Sequence, residues 1–168
     1  MDILLYNPPP RSGRQAQRRI ELPLGLLCPA TPLDRQGYRI KLIEGFGNPR
    51  WKRQLSDAMG DKPICFGVTS MTGPQILYAL RACKYFKQRY PDVPTVWGGV
   101  HGSLAPKQTI ANPYVDIVVV GEGEVTFEQL VKALQAGTPL SRVRGIWYKD
   151  NFGGSATAQA AAEAAQTS

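Results

Sequence analysis

Ile64-Cys65-Phe66-Gly67-Val68-Thr69-Ser70-Met71-Thr72-Gly73 is a short apolar run that closes on two hydroxyl residues and a glycine. Thr95-Val96-Trp97-Gly98-Gly99 follows the same pattern further along the chain. Apolar runs of this length, bounded by turn residues, predict buried strands. Between them, residues 75–90 set Ile76, Leu80, Cys83 and Lys87 on one line with Ala79 and Phe86 adjoining, and Tyr90-Pro91 ends the segment. That spacing predicts a helix. The three segments make a β–α–β unit whose strand ends carry small and hydroxyl residues on one rim. In open α/β sheets, ligands bind outside the carboxyl ends of the strands, so this rim reads as a ligand cradle.

Working outward, residues 2–6 predict a first strand, stopped by Asn7-Pro8-Pro9-Pro10. Residues 22–36 are apolar enough for a helix ending at Gly37, a suitable stop. Pro29 and Pro32 lie inside it, however, and an interior proline costs about 3 kcal/mol, so the expectation is a short or broken helix. Residues 39–43 predict a strand, 51–59 a helix, and 103–110 a weak helical segment limited by Pro106. Residues 116–120 form the continuous apolar run of a parallel-sheet strand. Gly121-Glu122-Gly123-Glu124 then turns into a helix marked by Phe127, Leu130, Val131 and Leu134. Thr126 and Gln129 suit its capping box and Gly137 its end, and residues 145–149 suit an edge strand.

Strands alternating with helices imply right-handed crossovers and an α/β fold. The expectation is a Rossmann-like (flavodoxin-like), doubly wound parallel sheet in three layers. Its order would be 2-1-3-4-5, with the switch point between the first and third strands. Residues 1–150 are expected to form this domain. Residues 151–168, rich in Ala, Gln and Thr, are expected to be a disordered low-complexity tail.

With 168 residues and 43% hydrophobic content, the chain can bury one substantial core. No run approaches the ~18 apolar residues of a membrane span, and Met1-Asp2-Ile3 leads directly into a strand instead of a signal peptide. Cys28, Cys65 and Cys83 are odd in number and widely spaced, which suggests neither a zinc site nor a disulfide framework. A reducing cytoplasm is the expected compartment. Of the net charge of +7, much comes from Arg11, Arg14, Arg18 and Arg19. These are either guanidinium forks for phosphate or carboxylate groups, or a solvated loop. The aromatic residues are not interleaved with the basic ones, and nothing points to nucleic acid.

Four loops converge on the carboxyl rim: residues 7–13, 70–74, 98–103 and 121–124. Gly98 and Gly99 let a bulky ligand approach the backbone. Ser70 and Thr72 offer hydroxyls, while Gly121 and Gly123 flank Glu122 before a helix N-terminus whose free N–H groups suit a polar or anionic ligand. Each loop alone also reads as an ordinary strand-to-helix turn; four on one rim favour a cradle. His101, the one histidine, suits metal ligation, a hydrogen bond to a ligand, or neither. Glu122 and Glu124 suit either general acid–base work or a helix dipole. No nucleophile with an adjacent base occurs, nor any Gly-x-Ser-x-Gly or phosphate-loop motif. The chain reads as a binder, not a catalyst.

At these residues the sequence resembles the N-terminal cobalamin-binding domain of cobalamin-dependent radical SAM enzymes. That group includes methyltransferases and the anaerobic magnesium-protoporphyrin monomethyl ester cyclase type. The resemblance, from Met1 to about Lys149, rests on Asn7-Pro8-Pro9, Leu22-Pro23-Leu24-Gly25-Leu26-Leu27, Gly37-Tyr38 and Ser70-Met71-Thr72-Gly73-Pro74-Gln75. It continues through Trp97-Gly98-Gly99-Val100-His101, Asn112-Pro113-Tyr114-Val115-Asp116 and Gly121-Glu122-Gly123-Glu124. It implies a corrinoid cradle, with Ser70 bonding the nucleotide tail of cobalamin and Gly98-Gly99 admitting it. The loops at Asn7, Met71, His101 and Glu122 would lie near the corrin, completing a cofactor set of Asn7, Pro8, Pro9, Ser70, Met71, Thr72, Gly73, Gly98, Gly99, Val100, His101, Gly121, Glu122, Gly123 and Glu124.

The first loop lacks the Asp-x-His-x-x-Gly segment of methionine-synthase-like domains, so the resemblance supplies no histidine for cobalt. No Cys-x-x-x-Cys-x-x-Cys triplet occurs either; the iron–sulfur cluster and S-adenosylmethionine would belong to a radical SAM half, absent here or a separate subunit. The expectation is therefore a truncated or split enzyme that binds a corrinoid without turnover by itself. Two rival readings stand: a flavodoxin-like module holding a nucleotide or flavin, and a complete enzyme acting through Glu122, Glu124 and His101.

Overall fold

The computed structural model describes residues 2–10, 22–46, 48–58, 60 and 62–149. The arginine-rich segment of Arg11, Arg14, Arg18 and Arg19 and the expected tail at 151–168 lie outside the described residues. The elements, in chain order, are β1 (Ile3–Asn7), α1 (Leu24–Arg35), β2 (Ile40–Glu44), α2 (Trp51–Ala58), β3 (Cys65–Thr69), α3 (Gln75–Arg89) and β4 (Thr95–Gly98). They continue with α4 (Val100–Leu104), α5 (Pro106–Ile110), β5 (Ile117–Val119), α6 (Gly123–Ala136), a 3-10 turn (Leu140–Arg142) and β6 (Ile146–Tyr148).

The strands are apolar on both faces, so helices must cover both. Ile3, Leu5, Cys65, Val96, Ile117 and Val119 face one core with α1 and α6. Leu4, Tyr6, Phe66, Val68, Trp97 and Val118 face a second core with α2 and α3. The result is the three-layer, Rossmann-like arrangement expected, with strand order β2-β1-β3-β4-β5-β6. β1 to β5 run parallel. β6 is antiparallel to β5, pairing Ile117 with Tyr148 and Val119 with Ile146, and stands at the edge of the sheet, the place expected for residues 145–149. Two buried residues, Leu140 and Val143, lie in the connection after α6 and pack into the α1/α6 core. Val120 N–H then bonds Gly145 O at 2.9 Å, so the chain re-enters the sheet from the carboxyl rim.

Helix α1 departs from its expectation by running unbroken through Pro29 and Pro32. Leu26, Ala30 and Leu33 form an i, i+4, i+7 stripe buried in the α1/α6 core. Burying each leucine is worth about 1.5–3 kcal/mol, comparable with the cost of a proline. Near the end of the helix, Gln36 Nε2 donates to the Pro32 carbonyl at 3.0 Å. The capping box is a second departure: α6 starts at Gly123 with no side-chain cap, and Thr126 lies within its first turns. A Cβ on Gly123 would stand 3.0 Å from Pro29 Cγ, so α1 packs closely on the first residue of α6 and leaves little room for a side chain there. Gly137 ends it as expected, at φ 65°. The weak segment becomes two five-residue helices, α4 and α5, with Pro106 opening the second.

At the amino end of the sheet, buried Asp116 accepts from Thr95 N–H at 2.8 Å and Thr95 Oγ1–H at 3.0 Å, and pairs with Lys87. Lys87 Nζ also donates to the Pro91 and Val93 carbonyls, each at 3.0 Å. This staple leaves the opposite, carboxyl end of the sheet as the side open to ligand chemistry.

Candidate functional site

A cleft of about 520 Å³ is let into the carboxyl end of the sheet, between its α1/α6 face and those two helices. Leu5, Val96, Val119 and Phe127 form its floor, and Leu24, Leu26 and Pro29 of α1 form one wall. Two strand positions on this face have no side chain, and they differ: Leu5 fills the room left by Gly67, while the room left by Gly98 is open. A Cβ on Gly67 would lie 2.6 Å from Leu5 Cδ2, whereas a Cβ on Gly98 would meet nothing within 4 Å, its direction being the open cleft. Gly98, Gly99, Val100, Gly121, Glu122, Gly123 and Glu124 stand around the mouth.

Asn7, Pro8, Pro9, Ser70, Met71, Thr72, Gly73 and His101 do not line the cleft. They belong to the rim beside it, which is tied together strand by strand. Asn7 Nδ2 donates to Glu44 Oε2 at 2.8 Å, linking β1 to β2. Gln75 links the loops after β1 and β3, donating to Pro8 O and accepting from Met71 N–H, both at 2.6 Å. His101 N–H bonds Ser70 O at 3.0 Å, and its Nδ1 lies 3.4 Å from Thr72 Oγ1, linking β3 to β4. Ser103 Oγ donates to Gly99 O at 3.1 Å and accepts from Gly121 N–H at 3.0 Å, linking β4 to β5. The side chains of Asn7 and His101 thus serve the protein's own rim. Among the described residues, no three His, Cys, Asp or Glu side chains are placed to hold a metal ion.

Two buried side-chain oxygens have no hydrogen-bond partner among the described residues, Tyr6 Oη and Ser70 Oγ. Burial holds the Tyr6 phenol well above its ordinary pKa, in the neutral form. Ser70 is fully buried at the end of β3, against Gly99. An unpaired buried hydroxyl costs free energy, and Ser70 Oγ is left without a partner although Ser70 does not line the cleft. Every exposed large hydrophobic among the described residues is also on this side of the fold. Leu22 and Leu24 are at the start of α1, Met71 after β3, Leu77 in the first turn of α3, Val100 and Leu104 in α4, and Val125 in the first turn of α6.

Sequence reasoning left Gly67 and the α1 wall out of the cofactor set, and put Ser103 in a rim loop without giving it a role. Gly67 carried a usable signal, because a glycine inside a buried strand marks a close approach or a kept space. The α1 wall was signalled only through the resemblance, which rests in part on Leu22-Pro23-Leu24-Gly25-Leu26-Leu27, while Pro29 and Pro32 argued for a broken helix.

A doubly wound sheet with a largely apolar slot at its carboxyl end defines a ligand-binding Rossmann-like domain. The family model described as the B12 binding domain matches residues 19–131, and the chain belongs to that family. An uncharacterized methyltransferase of Pyrococcus horikoshii is 32% identical over 90% of this chain and 33% of its own length. The anaerobic magnesium-protoporphyrin IX monomethyl ester cyclase of Synechocystis is 28% identical over 89% of this chain and 31% of its own. Among solved structures, the radical S-adenosylmethionine methyltransferase TsrM of Kitasatospora setae, with cobalamin and an iron–sulfur cluster bound, shares the fold at a TM-score of 0.75 and 21% identity. That match covers 91% of this chain and 28% of that one. The chain is thus similar to the cobalamin-binding domains of radical SAM methyltransferases and cyclases, and spans about a third of the length of these relatives. Cobalamin is the cofactor of this domain. The residues present suit it: the apolar slot takes a flat aromatic base, and the exposed apolar collar a broad macrocycle. No helix among the described residues is long and apolar enough to cross a membrane.

Proposed function

We propose that residues 1–150 form the corrinoid-holding module of a cobalamin-dependent radical SAM methyltransferase or cyclase. The observation that carries this reading is the slot left open at Gly98 on one face of the sheet, beneath an apolar collar. In this reading the slot takes the benzimidazole nucleotide tail. Leu5, Val96, Val119 and Phe127 hold the base by burial, and Ser70 Oγ donates to an oxygen of the tail. The corrin ring lies across the rim over Met71, Val100 and the loop at Glu122. Bound cobalamin supplies a cobalt centre able to carry a methyl group or electrons. The protein's share is to exclude water below the ring and fix its orientation.

No histidine reaches the centre of the rim from the β1 loop, where the chain reads Asn7-Pro8-Pro9-Pro10. His101 follows β4 instead, where its Nδ1 lies 3.4 Å from Thr72 Oγ1 and its backbone N–H bonds the Ser70 carbonyl. Cobalt would therefore receive no histidine from the β1 loop. The parts of the collar left exposed beside the ring, Leu22, Leu77 and Val125, suit contact with a radical SAM domain, in the same chain or a separate subunit. The free thiols Cys28, Cys65 and Cys83 suit a reducing, cytoplasmic setting.

Titration with hydroxocobalamin, followed by desalting and absorbance spectroscopy, tests the reading. The expected result is a retained spectrum of the form without its benzimidazole ligand, lost in Gly98→Leu. Well-folded protein recovered free of cofactor would overturn it and favour a nucleotide- or flavin-binding module.

A further inference from the structure

In doubly wound sheets a crevice opens where the strand order reverses, because the connections on either side leave towards opposite faces. Here that point lies between β1 and β3, yet the cleft is displaced towards β3, β4 and β5. Gln75 accounts for the displacement. The last ladder pair between β1 and β3 is Tyr6 with Val68, and beyond it the two chains have no backbone partner in each other. Gln75, the first residue of α3 and only 7% exposed, places its amide across this gap. Its Oε1 accepts from Met71 N–H and its Nε2 donates to Pro8 O, both at 2.6 Å. One end of the bridge must accept and the other donate, a combination that glutamate and lysine cannot supply and that a neutral amide can.

We propose that Gln75 is a positioning residue for the corrinoid. It closes the switch-point crevice and locks the Pro8 and Met71 loops into one shelf, on which the corrin ring rests while the tail enters the slot next door. The assignment rests on the corrinoid reading above. Met71 shows the consequence: its backbone N–H is held by a buried side chain, while its own side chain is 61% exposed on the rim. Gln75 itself does not line the slot and is not required to touch the cofactor.

The prediction separates ring from tail. Full-length wild type, Gln75→Leu and Gln75→Glu are titrated with hydroxocobalamin and with cobinamide, which has the corrin but no nucleotide base, and each protein is melted without ligand. If Gln75 sets the shelf, Gln75→Leu weakens both ligands by the same factor, about tenfold for two lost hydrogen bonds. The cobalamin-to-cobinamide affinity ratio then stays at the wild-type value. Gln75→Glu keeps an acceptor for Met71 but sets a carboxylate oxygen against Pro8 O in a buried position, so it weakens both ligands at least as much.

Variants that melt cooperatively and bind both ligands like wild type overturn the assignment. So does a loss confined to cobalamin, which would place the effect on the tail. If Gln75→Leu does not fold, Gln75→Glu decides: undiminished cobinamide affinity refutes the shelf, and a reduced affinity with an unchanged ratio supports it. Failure of wild type to bind either ligand would instead overturn the corrinoid reading itself.

Discussion

Gly98 and Gly99 are adjacent and identical, and replacing each with alanine is expected to have opposite effects on stability. Gly98 lies in β4, and its Cβ would meet nothing within 4 Å. Alanine there costs no contact and reduces the freedom of the unfolded chain, a gain of about 0.4–1 kcal/mol. Gly99 has φ 87° and ψ −175°, a region open essentially to glycine alone and worth about 1–3 kcal/mol of strain for other residues. Its Cβ would also stand 2.6 Å from Thr69 Oγ1 and 2.9 Å from Ser70 O, an overpacking that costs about 1–3 kcal/mol more. The total for Gly99→Ala is about 2–6 kcal/mol, a large share of the 5–15 kcal/mol that typically holds a domain together. At about 2–4 °C per kcal/mol for a chain of this size, its Tm should fall by roughly 5–20 °C, while that of Gly98→Ala should hold or rise by a few degrees. Thermal melts followed by circular dichroism, without ligand, read both. A Gly99→Ala protein as stable as wild type, or a Gly98→Ala protein well below it, would refute the geometry. Binding should then invert the order for larger residues: Gly98→Leu stays folded and loses cobalamin, because its side chain fills the slot.

Asp116→Ala removes one partner of a buried ion pair and should cost about 3–5 kcal/mol in urea unfolding. Hydroxocobalamin affinity, measured where the variant is folded, should be unchanged, since the rim lies at the other end of the sheet; a small stability loss would show that the staple matters little. Burial pushes the thiols of Cys65 and Cys83 up to about 12 from 9.0, so the folded state holds protons that the unfolded chain releases. Their stabilisation is complete below pH 9 and is lost between pH 9 and about 12, at about 1.4 kcal/mol per pH unit for each thiol. Urea midpoints unchanged from pH 8 to 11 would contradict this. A thiol reagent should modify Cys28 in the native protein, and Cys65 and Cys83 only on unfolding; native labelling of a second thiol would show the core to be open. The floor of the slot, Leu5, Val96, Val119 and Phe127, offers no side-chain partner to a polar base. A cobamide with adenine in place of dimethylbenzimidazole should therefore bind at least about tenfold more weakly, because its amino group would be buried unpaired. Equal affinities would place the base outside the slot.

Much of this molecule follows from local pattern alone. The apolar runs before Ser70, Gly98 and Gly121 are short, uncharged and bounded by turn residues, a composition that suits only strands buried on both faces. Their alternation with helical segments then leaves the doubly wound sheet and its carboxyl rim as the consistent arrangement. The glycine-rich rim loops were legible for the same reason, since the positions where strands pass into helices are local features.

What the tertiary structure decided depends on contacts between segments distant in sequence. Helix α1 survives two interior prolines because Leu26, Ala30 and Leu33 are buried against α6 and the sheet. At the first residue of α6, Gly123 leaves room for Pro29, nearly a hundred positions away. The difference between Gly98 and Gly99 is invisible in two identical letters and arises from backbone angle and from Thr69 and Ser70 pressing on one of them. Gln75 bridging Pro8 to Met71 moves the cleft off the switch point, because a hydrogen-bonded amide can close a crevice that topology opens. Sequence specifies which residues can be neighbours along one element; burial and hydrogen bonding across elements settle which of them stand at a cofactor.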